Sequence, residues 1–284
     1  MRKKLVWGLA ASLILSSAAL GGCGKKEVTA ESIVQQSNET MEKAKSFLAD
    51  FNMDMEMSMT SGDQSTDMDV AMTGTMQATQ EPDVVYMDMT MTSGLFGLSL
   101  DMDIYTQAEE DKIITYTGIA GEWMKTEQEG LSQSNLAELQ KMFGNGKEMT
   151  LAEQTEKIGD KEVYVLTASI SGEELEKVMS AMGSMANGLD SMDLSQFQAD
   201  TCMKVYKDTM FPASITLDMI TTGEGMEVDG VVTKIDKMTI TVDYKEFDTI
   251  DSIEIPAEAL AAETIDTNAL LEEAETSAQQ TDEF

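Results

Sequence analysis

The stretch Phe47-Leu48-Ala49-Asp50-Phe51-Asn52-Met53-Asp54-Met55-Glu56-Met57-Ser58-Met59-Thr60 decides the fold. Phe47, Ala49, Phe51, Met53, Met55, Met57 and Met59 take the odd positions, and from Asp50 onward every even position is polar. Successive side chains of a strand point to opposite faces, so this period of two puts all the apolar groups on one side of one long strand.

The pattern spreads outward from there. It recurs at Met68, Val70, Met72 and Met76, at Val85, Met87, Met89 and Met91, and at Leu98, Leu100, Met102 and Ile104. Turn residues separate the runs: Ser61-Gly62-Asp63, Glu81-Pro82-Asp83 and Ser93-Gly94. The reading is an antiparallel meander with one wet face and one apolar face. Further strands are predicted over 113–117, around Trp123, and over 162–170, 201–206, 213–219, 231–235 and 238–244. Residues 53–62 and 87–94 echo each other, as composition bias on neighbouring strands rather than as a repeat architecture.

Helical spacing interrupts the strands three times. Residues 30–45 carry Ile33, Val34, Met41 and Ala44 toward one side, with Thr29 as the N-cap. Asn135-x-x-Glu138 reads as a capping box before Leu136, Leu139, Met142 and Phe143, stopped by Gly144 and Gly146. Ser171-Gly172-Glu173-Glu174 opens a third helix with Leu175, Val178, Met179 and Met182 in a stripe, and 183–194 reads as loop. The expected class is α+β: a curved antiparallel sheet whose apolar face is covered by helices.

The N-terminus reads as an address. Arg2, Lys3 and Lys4 precede an apolar run from Leu5 to Leu20, too short for a spanning helix, which ends in small residues rather than a basic stop-transfer cluster. Leu20-Gly21-Gly22-Cys23 resembles a bacterial lipobox, which implies a diacylglyceryl group on Cys23 after removal of residues 1–22. Two acyl chains, at about 0.8 kcal/mol per buried methylene, hold a protein on a bilayer where one does so only marginally. The expected location is the extracytoplasmic face of the cell membrane. Residues 23–29 then form the lipidated cysteine and its tether, 30–256 one domain, and 257–284 an acidic segment whose weak helix frays into a disordered tail.

Composition removes whole classes of function. The 284 residues hold 52 Asp+Glu against 19 Lys+Arg, a formal charge of −33, and loss of residues 1–22 makes it about −36. Nucleic acid is not an expected partner of such a chain. Without histidine there is no Ser-His-Asp or Cys-His system and no imidazole ligand, and Arg2 is the only arginine. Gly-x-Ser-x-Gly, Ser-x-x-Lys and phosphate-binding glycine loops are all missing, so no catalysis and no cofactor are expected. Asp101-x-Asp103 and Asp190-x-x-Asp193 lack the continuation a calcium loop needs, and no metal site is expected. Cys202 has no partner and reads as a small buried side chain.

About half of the 25 methionines occupy apolar-face positions where valine and isoleucine are usual. Three readings stand side by side. Methionine fills irregular cores, each buried side chain contributing about 1.5–3 kcal/mol. Flexible thioethers also suit a lining that accepts varied apolar shapes. Met-x-Met spacing can hold Cu(I), though no His or paired Cys supports it here. For a ligand-binding lining the candidates are Met53, Met55, Met57, Met87, Met89 and Met91.

Residues 33–45 leading into 47–59, Gly121-Glu122-Trp123-Met124-Lys125, residues 169–175, Val205-Tyr206-Lys207-Asp208 through Pro212 to Met219, and Tyr244 through Ile255-Pro256 give the chain a family likeness. It resembles the LolA/LppX/LprG-like lipoproteins and lipoprotein carriers, especially their Gram-positive branch. The resemblance implies an unclosed β-barrel with helices over a concave apolar face that takes lipid chains. The function expected is a membrane-anchored lipoprotein that binds, and passes on, a lipid or other amphiphile, with an envelope protein as a possible partner. The alternative is a structural or protein-interaction lipoprotein whose core is filled.

Overall fold

A computed structural model describes residues 28–265, apart from 63, 95–96, 110–111, 130–145, 147–148, 172–174, 176–195, 224 and 229. Helix α1 (Ala30–Met41) opens with a reciprocal cap in which the Thr29 hydroxyl accepts from the Ser32 amide and the Ser32 hydroxyl from the Thr29 amide. It stops at Met41 rather than running on to Lys45. The Lys45 amide is captured at 2.6 Å by the Asp248 carboxylate, which turns the chain into the first strand.

The strands are β1 (Ser46–Ser61), β2 (Gln64–Gln80), β3 (Asp83–Ser93), β4 (Leu98–Ala108), β5 (Lys112–Ile119), β6 (Glu122–Glu129), β7 (Thr150–Leu151), β8 (Glu156–Ile158), β9 (Lys161–Ser171), β10 (Phe197–Tyr206), β11 (Pro212–Thr221), β12 (Met226–Val228) and β13 (Val231–Phe247). They form one sheet in the order β6-β5-β4-β3-β2-β1-β13-β11-β10-β9-β7, with β12 on β13 and β8 on β9. All strand pairs are antiparallel, and among the described residues β6 does not meet β7, so the sheet stays open. The first six strands follow chain order, and the last strand returns to lie beside the first.

One expectation is corrected by this arrangement. Residues 231–235 and 238–244 read as two strands because the apolar set changes from odd to even numbers. They are one strand, β13, with a bulge: Met57 stands opposite Ile235 and Glu56 opposite Lys237, which leaves Asp236 as the extra residue. The bulge shifts the numbering parity while the apolar face stays on one side.

The face bearing Phe47 and Met53, called inner below, carries the main core. Ile33, Val34 and Met41 of α1 join Phe47, Ala49, Met76, Met87 and Tyr244 there. The helices predicted near 135–143 and 173–182 lie outside the described residues except for Leu175, which is fully buried in this same core. The opposite, outer face has two smaller clusters. In one, Val84, Tyr105, Ile114 and Tyr116 are covered by Ile253 and by Ala259 of the short helix α2 (Ala257–Leu260). In the other, Val163, Val165 and Ala213 pack beside a half-buried Cys202. The sheet thus holds residues 257–265 past the boundary read at Pro256, and the Ile265 amide bonds the Lys125 carbonyl at 2.7 Å. Residues 266–284 lie outside the described part.

Candidate functional site

Cross-strand register assembles the inner face. Leu100, Met91, Met72, Met53, Ile240 and Leu217 stand opposite one another in turn across β4, β3, β2, β1, β13 and β11. Two residues along, Val70, Met55, Met238, Met219, Ala199 and Ile170 make the next row. Rows on one face lie about 7 Å apart and strands about 4.8 Å apart, so the thioethers form a continuous apolar surface.

Burial divides that surface into two ends. At the end nearest α1, Met76 is fully buried and Met87 and Met89 are 4% and 5% exposed. Toward the β1–β2 and β3–β4 turns, Met53, Met55, Met57, Met72, Met91 and Leu100 are half-buried and pack against the core from its margin, and Leu98 is 62% exposed. Of the six methionines named from the sequence, then, Met87 and Met89 belong to the packed end, and Met53, Met55, Met57 and Met91 to the open one. Met72 and Leu100 belong with the open group and were missed, although their alternation was visible. What was not visible is the register that makes them neighbours of Met53 and Met91.

Gly74 sits in the inner-face row between Met89 and Phe51. A Cβ there would run into the Asp88 carbonyl oxygen and lie 2.8 Å from the Met89 Cα, so β3 crosses β2 where only glycine fits. This close approach is at the division between the two ends.

The outer face is acidic, and its register sets like charges opposite one another: Asp88 and Asp103, Asp50 and Asp243, Asp200 and Asp218, Glu56 and Asp69. Such pairs are destabilising unless compensated. Donors stand beside most of them. Tyr86 donates to Asp103 at 2.7 Å, Thr239 to Asp218 at 2.6 Å, Ser169 to Asp200, and Lys245 pairs with Asp50 at 2.8 Å. Burial, and then the Asp103 carboxylate, push the Tyr86 phenol above its ordinary value. On β6, Glu127 is held down to about 2 by the Lys125 ammonium on its own strand and then by that of Lys112 on β5. Burial raises the Cys202 thiol, which makes it less nucleophilic.

Among the described residues no group of three or more His, Cys, Asp or Glu could hold a metal ion, and no helix is long and apolar enough to cross a membrane. Leu20, Gly21, Gly22 and Cys23 lie outside the described residues.

Residues 29–264 match the model of DUF6612, a family of unknown function. No curated protein matches the chain. Solved structures similar to it include a DUF1329 family protein from Desulfovibrio piger, at 10% identity over 80% of this chain and 95% of that one with a TM-score of 0.27. A LolA superfamily protein from Nitrosomonas europaea aligns at 11% identity over 80% and 96%, with a TM-score of 0.22. A putative outer membrane lipoprotein-sorting protein domain from Vibrio parahaemolyticus aligns at 10% over 78% and 92%, with a TM-score of 0.24. TM-scores this low carry no residue's role from one chain to the other.

Proposed function

The chain belongs to the DUF6612 family, and from that premise we propose that it is a membrane-anchored lipoprotein of the extracytoplasmic face that binds a lipid or other amphiphile non-covalently on the open end of its inner face. Cys23 carries the anchor in this reading, the acidic body stands off from the bilayer, and the role is LolA-like binding and transfer without catalysis. One observation carries it: a group of flexible thioethers in two adjacent rows, Met53, Met72 and Met91 with Met55, left half-buried on the same sheet face that is fully packed a few residues away. Burial of apolar surface drives the binding, and side chains with several rotatable bonds adapt to acyl chains of different length.

The full burial of Met87 and Met89 favours a second reading, in which the whole face is core and the protein works by contact with another protein. Lipid extraction and mass spectrometry on a chain starting at Gly24, purified from its native envelope without detergent, separates the two. A co-purified amphiphile at one per chain is the expected result. A stable, empty protein that refuses added lipid overturns the binding reading.

A further inference from the structure

Hard and soft donor atoms separate on this sheet. Near the open end Asp54, Glu56, Asp69 and Asp101 all lie on the outer face. The inner-face row from Leu100 through Met91, Met72, Met53 and Ile240 to Leu217 offers sulfur as its only side-chain donor.

Register gathers these sulfurs more closely than sequence spacing does. Same-face residues of one strand, such as Met53 and Met55, are about 7 Å apart. Met72, by contrast, stands directly opposite Met53 on one side and Met91 on the other. Directly opposite residues have Cβ atoms about 4.5–5.5 Å apart, and rotation about Cα–Cβ and Cβ–Cγ swings each sulfur toward its neighbour. Three thioethers on adjacent strands can therefore close on one ion above Met72. Two residues along β2, Gly74 brings no side chain to crowd that central position.

A second trio is aligned across β1, β13 and β11, namely Met55, Met238 and Met219. Met238 is 1% exposed and Met219 not at all, so their sulfurs are closed into the core. Met53, Met72 and Met91 are each half-buried, and an ion from solution can reach them.

Thioethers are neutral, soft ligands that favour Cu(I), whereas Zn(II), Ni(II) and Cu(II) sites draw on imidazole, thiolate or carboxylate. The chain has no histidine, and Cys202 packs in an outer-face cluster. The positive charge that three neutral ligands leave uncompensated is offset at longer range by a formal charge of −33.

We propose that Met53, Met72 and Met91 form a thioether site for Cu(I), with Met72 as its central ligand. The proposal goes beyond the lipid-binding reading and stands on the sulfur lone pairs rather than on apolar area.

The test titrates the full chain, in detergent and washed free of co-purified amphiphile, with Cu(I) under anaerobic conditions in competition with bicinchoninate. A parallel titration with Ag(I) follows the methyl groups of isotopically labelled methionine by NMR. One ion per chain is expected, with the methyl signals of Met53, Met72 and Met91 shifting and those of Met219 and Met238 stationary. Met72→Leu keeps an apolar side chain of similar size and removes the lone pairs. It should weaken Cu(I) binding about a hundred-fold, the upper end of what losing a group that merely supports a metal ligand costs, with the melting transition and lipid uptake unchanged. Met203→Leu, in the packed core of β10, should leave the affinity as it is. No bound ion, equal affinity in Met72→Leu, or several ions spread over the methionines overturns the proposal. Any of these in a chain that still takes up lipid overturns the metal site alone, and Cu(I) binding in a chain that refuses lipid overturns the lipid reading alone.

Discussion

The two ends of the inner face are written in the same letters and hold different amounts of water. Near α1, Phe47, Ala49, Met76 and Met87 are buried in one cluster with Ile33, Val34 and Met41. Toward the β1–β2 turn, Met53, Met55 and Met57 alternate with polar neighbours and remain half-buried. Identical alternation therefore establishes which face a residue is on, and the element packed above it establishes whether the residue is core or surface.

The sharpest way to break this contrast is to place the same charge at both ends. Met76→Asp puts a carboxylate at a fully buried position in the apolar core and is expected to abolish cooperative unfolding, since an unpaired buried charge costs several kcal/mol of a stability of about 5–15 kcal/mol. Met55→Asp should leave far-UV dichroism and the melting transition in place while ending lipid uptake. If Met55→Asp also unfolds the chain, the open end is core and the contrast fails.

Truncation gives the next largest difference. Phe47 is fully buried and meets the Tyr244 ring edge-on at 5.3 Å, so Phe47→Ala should cost about 3–5 kcal/mol in urea unfolding. Leu100→Ala, at the open end, should cost about 1 kcal/mol, because its side chain is only partly removed from water. At the boundary between the ends, Gly74→Ala should cost about 2 kcal/mol by forcing β3 off β2, although alanine is otherwise the better strand residue.

Much of the sheet was legible because the signal is local. Alternation in 47–60, 68–76, 85–91 and 98–104 places β1 to β4 and their apolar face without any tertiary information. What was not legible depends on residues far apart in sequence. The bulge at Asp236 disguised one strand as two, since it makes sense only against Glu56 and Met57 on β1. The packing of Ile253 and Ala259 onto Tyr105 and Tyr116 was hidden because an Ala/Glu-rich segment reads as a tail until the outer face offers it an apolar seat. The site was half legible for the same reason: the sequence names Met53 and Met87 alike, and only tertiary packing tells them apart.

The smallest expected effect sharpens the contrast from the buried end. Asp83, at the start of β3, shares the parity of Val85 and Met87, and its Oδ1 is buried without a partner. Burial raises its carboxyl to about 6. The folded state therefore holds the Asp83 proton more tightly than the unfolded chain, whose aspartates titrate near 4. The stability tied to that proton is fully present below about pH 4 and is lost as the pH rises through about 6. Asp83→Asn, which cannot ionise, should match the parent protein near pH 4 and exceed it at pH 7 by about 1 kcal/mol, a figure reduced for the group's partial exposure. Melting temperatures of both proteins across pH 4 to 7 measure this directly. Parallel curves would mean that water reaches Asp83 freely, and that the packed end of the face stops short of the β2–β3 turn.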